Sequence, residues 1–294
     1  MSKCVPKASV LPKCQSVKCS ISLNCLQNYN KICIYAKIFV PLRGIMEEKQ
    51  NIGSLFDRIA KTYDGLNHGL SLNIDRLWRK RTVACMPAKE HVLDVAIGTA
   101  DLTIEMLRRG KAQRVTGIDL STEMMRIGEE KIERFESRVK SQESRVESRE
   151  SRGKRQESRV EFVYGNAQEM PFADNSFDGV TCAFGCRNFS DLDAGLREMY
   201  RVLKPGGQVT ILEFSYPTNP IVRALYDIYF SHLLPFIGRM VSRDKTAYTY
   251  LNKSVKHFIW GEAFVQRLHD IGFEQEHFVV QTLGIATIYT AIKW

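Results

Sequence analysis

The sequence predicts an α/β fold in which a mostly parallel β-sheet is covered by helices on both faces, and three observations carry that expectation. Short apolar runs alternate with helix-period segments along the body of the chain, the pattern of a buried parallel sheet. The first run, His91 to Val95, ends in a turn containing Gly98 and passes into the helical stretch from Asp101. The second, Arg114 to Asp119, closes on an acid. Backbone N–H groups at a helix start favour an anion, and an acid ending the neighbouring parallel strand can accept both hydroxyls of a ribose. The pair therefore reads as a nucleoside pocket.

Residues 1–45 show no clear helical or strand period. They carry seven basic residues, Lys3, Lys7, Lys13, Lys18, Lys31, Lys37 and Arg43, and no acid. Rich in Lys and Cys and poor in Arg, they fit a targeting peptide badly. They are expected to be a disordered extension, or translation from a start upstream of Met46, and residues 46–294 to form a single domain. Five of the eight cysteines, Cys4, Cys14, Cys19, Cys25 and Cys33, fall in this stretch at spacings that match no zinc pattern, so no metal site is expected. Cys85, Cys182 and Cys186 suit a reduced, cytoplasmic protein.

From Ile52 to Met86, Leu55, Ile59, Ile74, Leu77 and Trp78 recur at helical spacing and predict two helices. Between them Tyr63-Asp64-Gly65-Leu66-Asn67-His68-Gly69 reads as a polar loop, either a plain connection or part of an N-terminal lid over the ligand crevice. Strands are predicted at His91 to Val95, Arg114 to Asp119, Glu161 to Gly165, Phe177 to Ala183 and Gln208 to Phe214. Right-handed crossovers set their carboxyl ends, with Asp94, Asp119, Asn166 and Arg187, along one rim. Ser121 suits the N-cap of the second helix, and the stripe Leu192, Leu196, Met199, Leu203 ends at Lys204-Pro205-Gly206-Gly207.

Residues 136–160 break the rhythm with seven-residue units beginning at Glu136, Glu143, Glu150 and Glu157. Each offers one apolar position where a coiled-coil seam needs two, so the stretch reads as a low-complexity insertion, a solvated helix or a disordered loop. Ile221 to Met240 is apolar and aromatic but too charged for a bilayer span. It is either a core helix kinked before Pro235 or a groove for a greasy ligand. A helix from Glu262 to Ile271 and two antiparallel strands, Glu274 to Val280 and Ile285 to Trp294, finish the chain.

Six segments carry a resemblance: FDRIAKTYDGLNHGLSLNIDRLWR (Phe56 to Arg79), LDVAIGTADLTI (Leu93 to Ile104), GIDLSTEMM (Gly117 to Met125), GNAQEMPFADNSFDGVTCAFGCRNF (Gly165 to Phe189), YRVLKPGG with LEF (Tyr200 to Phe214), and AYTYLNKS (Ala247 to Ser254). In this order they resemble the quinone-ring C-methyltransferases of menaquinone and ubiquinone biosynthesis. The turn motif alone is generic, and the FGCRN and YTYL signals make the likeness specific. It covers everything but the first 45 residues and the repeat.

The resemblance implies a Rossmann-like class I methyltransferase: a seven-stranded, mostly parallel sheet with an antiparallel last strand, helices on both faces, and an N-terminal helical lid. It implies S-adenosyl-L-methionine as cofactor, with Asp94, Gly98, Thr99, Asp119, Asn166 and Ala167 in its site. Asp94 either meets the cofactor's amino group or only braces the turn. The implied reaction methylates a ring carbon of demethylmenaquinol, giving menaquinol. Arg187, Asn188, Tyr63 and His68 are the candidate catalytic residues, and Tyr63, Asn67, Arg187, Tyr226 and Tyr250 the candidate substrate contacts. Asn188 is expected to orient Arg187. Ala100 stands where many methyltransferases have Gly, so the turn is expected to avoid positive φ there. Ala183, where some ubiquinone-type members have Ser, tilts the reading slightly toward the menaquinone-only type, and Cys186 reads as packing rather than a nucleophile.

The partners so implied are a polyprenylated naphthoquinol, a peripheral contact with the inner face of a membrane, and a second copy of the chain in a homo-oligomer. Alternative acceptors are the benzoquinol of the ubiquinone pathway or another lipophilic molecule. Nucleic-acid binding would suit a pI near 9.1. However, residues 1–45 carry a surplus of seven and residues 136–160 a surplus of three, which leaves the rest of this +9 chain at −1. A dinucleotide oxidoreductase is disfavoured because DVAIGTAD lacks G-x-G-x-x-G.

Overall fold

The computed structural model describes residues 52–146, 159–229 and 245–294. Along the chain run α1 (Ile52–Leu70), α2 (Ile74–Ala84), β1 (Lys89–Val95), α3 (Asp101–Arg108), β2 (Ala112–Asp119), α4 (Thr122–Val146), β3 (Val160–Tyr164), β4 (Phe177–Ala183), α5 (Leu192–Val202), β5 (Leu203–Phe214), α6 (Pro220–Ile228), α7 (Lys245–His257), α8 (Glu262–Ile271), β6 (Glu274–Gln281) and β7 (Ala286–Ile292). The strands form one seven-stranded sheet in the order β3-β2-β1-β4-β5-β7-β6. β1 to β5 pair in parallel, and β7 lies antiparallel between β5 and β6.

Both faces of the sheet are covered, as the unbroken apolar runs require. On one, Val83 of α2, Leu102 and Met106 of α3, and Met125 and Ile132 of α4 pack on Val92 and Val115. On the other, Leu196 and Met199 of α5 and Phe264 and Leu268 of α8 pack on Leu93, Val180, Ile211 and Tyr289. Ser121 caps α4 as expected, its Oγ accepting from the Met124 N–H at 3.2 Å.

Two expectations change. Tyr63 to Gly69 is not a loop but the last two turns of α1, and the chain reverses only at Leu72 and Asn73, whose φ values are 51° and 62°. Each glycine costs a helix about 1 kcal/mol, and side-chain tethers outweigh that cost. Tyr63 packs edge-on against Phe56 at 5.9 Å, Asp64 accepts from Thr99 at 2.6 Å, and His68 meets Asp75 at 2.7 Å. The heptad units, in turn, are divided: α4 continues through Glu136 to Val146, the last unit enters β3, and residues 147–158 lie outside the described residues. The Glu136 carboxylate accepts from the Arg159 N–H at 3.0 Å, which ties α4 to the residue before β3.

Candidate active site

The turn after β1 is built from left-handed residues, Ala96, Gly98 and Ala100, with φ of 56°, 54° and 63°. Ala100 thus adopts the positive φ it was expected to avoid. Left-handed backbone costs an L-residue about 1–2 kcal/mol, and hydrogen bonds within the turn and to β2 hold it against that cost. The Ile97 N–H donates to Ile118 O at 3.2 Å and the Ala100 N–H to Ile97 O at 3.0 Å, and the Gly98 N–H donates to Asp119 Oδ2 at 2.8 Å. The bulky Ile97 fits because β2 has glycine opposite: a Cβ on Gly117 would stand 2.1 Å from Ile97 Cδ1.

Asp119 ends β2 with its second oxygen, Oδ1, accepting from the Ser121 N–H at 2.9 Å. Burial pushes its carboxyl pKa up, and the Ser121 and Gly98 N–H groups partly offset that. The carboxylate lines an open crevice together with Gly98, Asn166 and Ala167. Asn166 is pinned, its Oδ1 accepting from the Gln168 N–H at 3.0 Å. Asp94 and Thr99 lie behind this wall. Asp94 is buried, accepts from Thr103 at 2.6 Å and Thr181 at 2.9 Å, and burial lifts its pKa to about 6. Asp94 so ties β1 to α3 and β4.

α1 closes the crevice from above. A Cβ on Gly53 would sit 2.7 Å from Leu120 O, so only glycine allows this approach. Asp57 then accepts from Ser121 Oγ at 2.6 Å and the Glu123 N–H at 3.1 Å at the start of α4. Beneath the helix runs a charged network. Lys131 Nζ donates to Asp64 at 2.9 Å and also to Asp101. Arg79 pairs with Asp75 and lies 3.7 Å from Asp101, while His68 Nε2 is 3.6 Å from Asp101.

A second cavity lies beside the first, mostly apolar, with walls from Leu55, Phe56, Ile59, Trp78, Phe184, Phe214, Tyr250 and Leu251. Its lining suits a small lipophilic ligand. Arg187 reaches it from the 3₁₀ turn Cys186–Asn188 that follows β4. The guanidinium packs 5.1 Å from the Phe214 ring centroid and donates from NH1 to Glu213 Oε1 at 2.8 Å. Its Nε has no hydrogen-bond partner among the described residues. The two cavities share Phe56, Tyr63 and Phe184. Burial raises the Tyr63 phenol, while the charges of Arg187 and Arg79 and a hydrogen bond with Asn67 pull it down.

Of the expected residues, Tyr63, Asn67, Arg187 and Tyr250 converge on the apolar cavity, and Gly98, Asp119, Asn166, Ala167 and Asn188 on the crevice. Three placements correct the sequence reading. Tyr226 is a core residue, packed with Val255 and 5.7 Å from the Tyr216 ring. His68 lines neither cavity, being turned into the aspartate network. Glu213 rather than Asn188 orients Arg187: the Asn188 side chain instead donates to Phe184 O at 3.2 Å and accepts from Tyr250 OH at 3.0 Å. Cys186 is buried with its Sγ 3.6 Å from that of Cys182, and burial raises its thiol pKa, in keeping with packing. Ile221 to Met240 is described only as far as Tyr229, and residues 230–240 lie outside the described residues.

Glu213, Arg79, Asp75, Asp101 and Lys131 escaped the sequence reading. Glu213 offered one signal, an acid inside the apolar run VTILEF, which is expensive to bury unless paired.

Residues 44–293 match the ubiE/COQ5 methyltransferase family. A demethylmenaquinone methyltransferase of Bacteroides fragilis is 36% identical over 86% of this chain and 96% of its own length. One of Chlorobaculum parvum is 40% identical over 84% and 94%. A ubiquinone/menaquinone biosynthesis C-methyltransferase of Geotalea daltonii is 39% identical over 85% and 99%. Among solved structures, a methyltransferase of Thermotoga maritima described as a possible histamine N-methyltransferase superposes with a TM-score of 0.55 at 16% identity, over 82% of this chain and 99% of its own. That likeness speaks for the fold alone.

Proposed function

This chain belongs to the ubiE/COQ5 methyltransferase family, and on that premise we propose that it methylates a ring carbon of demethylmenaquinol to give menaquinol. The enzyme class and the cofactor, S-adenosylmethionine, come with the family. The observation that carries the acceptor is the meeting of the two cavities at Phe56, Tyr63 and Phe184, with the buried Arg187 among the walls of the apolar one.

The crevice residues fit the cofactor. Asp119 keeps lone pairs for two ribose hydroxyls after accepting from Gly98 and Ser121, and Asn166 and Ala167, which line the same crevice, are read as neighbours of the base. When bound, the cofactor supplies an electrophilic methyl group on a sulfonium. What remains is to make the ring carbon electron-rich. A quinol hydroxyl resembles a phenol and ionises near pH 10, so holding its anion at neutral pH needs about three units, or roughly 4 kcal/mol. Arg187 is the donor for that oxygen. Its guanidinium stays protonated, so it stabilises the anion and does not act as the base. Glu213 fixes its direction while neutralising part of its charge. Tyr63 spans both cavities and supplies a neutral hydroxyl at the junction. Asp75 lines the cavity with His68 behind it, and this pair is the route by which the hydroxyl proton leaves and, once the methyl has passed from sulfur to the ring carbon, by which the C–H proton of that carbon follows. The apolar walls exclude water and position the ring.

The acceptor's prenyl tail places its supply in a bilayer, and the enzyme is read as peripheral at the inner membrane face. No helix among the described residues is long and apolar enough to cross a membrane. Nucleic acid is not among its partners in this reading, because the surplus charge lies outside the site. Residues 136–160 are read as an insertion in a single domain.

The test incubates purified protein with methyl-labelled S-adenosylmethionine and reduced demethylmenaquinone. Label is expected on the quinone ring, and Arg187→Lys should lower kcat at least about tenfold with cofactor affinity kept. Cofactor binding without label in the ring would overturn the reading.

A further inference from the structure

Two exposed leucines sit where the backbone disfavours them. Leu72, 81% exposed, tips the turn between α1 and α2 with φ 51°, and Leu283, 73% exposed, tips the turn between β6 and β7 with φ 57°. Glycine or asparagine would relieve each turn, and a polar side chain would suit each exposure. Leucine is unfavourable on both counts and gains little packing among the described residues, so a contact beyond them would have to compensate.

Both turns are tied to α2. Trp78 Nε1 donates to Thr282 Oγ1 at 2.7 Å, and Arg81 donates to Gln281 Oε1 at 2.7 Å. Gln281 pairs with Ala286, which pairs with Phe214, so the β6–β7 turn lies on the same carboxyl rim as the two cavities. Trp78 and Phe214 are themselves walls of the apolar cavity. The outer face of α2 adds Leu77, Arg76, Lys80 and Arg81, all exposed, with no exposed acid between Ser71 and Ala84. Apolar tips beside a basic helix face are the chemistry of an anionic bilayer surface: the leucines enter the acyl boundary and the cations meet the headgroups.

We propose that α2 and the two leucine-tipped turns form a membrane-docking face that sets the mouth of the apolar cavity against an anionic lipid surface. This rests on the quinol reading and deepens it, since a tail leaving the cavity past Trp78 would remain in lipid.

The experiment uses the full chain and vesicles of phosphatidylcholine with phosphatidylglycerol. The variant is Leu72→Asn with Leu283→Asn, because asparagine tolerates left-handed backbone. Vesicle binding by sedimentation is expected to weaken about tenfold per leucine, while the melting temperature holds or rises. Arg76→Glu with Lys80→Glu should weaken binding and flatten its salt dependence. Wild-type protein that fails to bind, a leucine variant that binds as well as wild type, or a loss of binding with a lowered melting temperature each overturns the proposal. So does loss of a dimer with vesicle binding unchanged, which would assign the face to a second copy. Label transfer to a short-tailed quinol in solution should be unaffected by the leucine changes. If transfer stands and vesicle binding fails, only the docking face falls; if transfer fails in the wild type, the acceptor reading falls.

Discussion

Replacing Asp119 by asparagine keeps the shape of the residue and removes its charge, which separates a ribose ligand from a turn brace. The carboxylate now accepts one backbone N–H on each oxygen, from Gly98 at 2.8 Å and Ser121 at 2.9 Å, and still faces the crevice. Asparagine has a single carbonyl oxygen, so one of those N–H groups must face an NH₂ donor. Toward the ribose, two charge-assisted hydrogen bonds worth about 1.5–3 kcal/mol each become neutral ones worth about 0.5–1.5. The difference is about 2–3 kcal/mol, or roughly a 30- to 150-fold weaker affinity. Calorimetric titration with S-adenosylhomocysteine reads this directly. Because burial raises the Asp119 pKa, wild-type affinity should fall on acidification from above the ordinary carboxylate range, whereas the asparagine variant should be flat there. An affinity within about threefold of wild type, with the same pH profile, would refute the ribose role and leave Asp119 as a brace.

Asp94 offers a pH test of opposite sign in stability. Its folded pKa of about 6 exceeds the ordinary value of 3.8, so the folded state holds the proton more tightly and stability declines as pH rises through that window. Asp94→Asn, able to pair with both threonine hydroxyls, should raise the melting temperature more at pH 7 than at pH 4 while leaving cofactor affinity intact. Glu213→Gln leaves the buried Arg187 charge uncompensated and should cost about 3–5 kcal/mol, read by urea denaturation. Ala100→Gly releases left-handed strain of about 1–2 kcal/mol against a glycine entropy cost of about 0.5–1. A small rise in thermal stability is expected, and a fall would show that the Ala100 methyl packs better than its backbone suffers.

The features legible in the sequence share one property: each depends on residues close together in the chain. The Gly98 turn followed by DLTIEML, the acid ending the next run at Asp119, and Ser121 three residues before Met124 report strand, turn and cap chemistry directly. The misses share the opposite property. Tyr63 to Gly69 has the glycines of a loop and is helical because Asp64 and His68 are held by Thr99 and Asp75. Ala100 has the wrong side chain for its backbone and keeps that backbone through bonds linking the turn to β2. Tyr226 has the composition of a pocket residue and sits in a small core.

The sequence by itself determined the alternation of elements, the side of the sheet on which a nucleoside would bind, and the family. Hydrophobic period, turn residues and motif order are written within a few positions of one another. Only the tertiary structure decided that Arg187 meets Glu213 from 26 positions away, that Lys131 reaches under α1 to Asp64, 67 positions away, and that two cavities join at Phe56, Tyr63 and Phe184. The reason is physical. Which charges pair in a dry interior depends on which strand ends are neighbours, and the order β3-β2-β1-β4-β5-β7-β6 sets those neighbours without appearing in any local pattern.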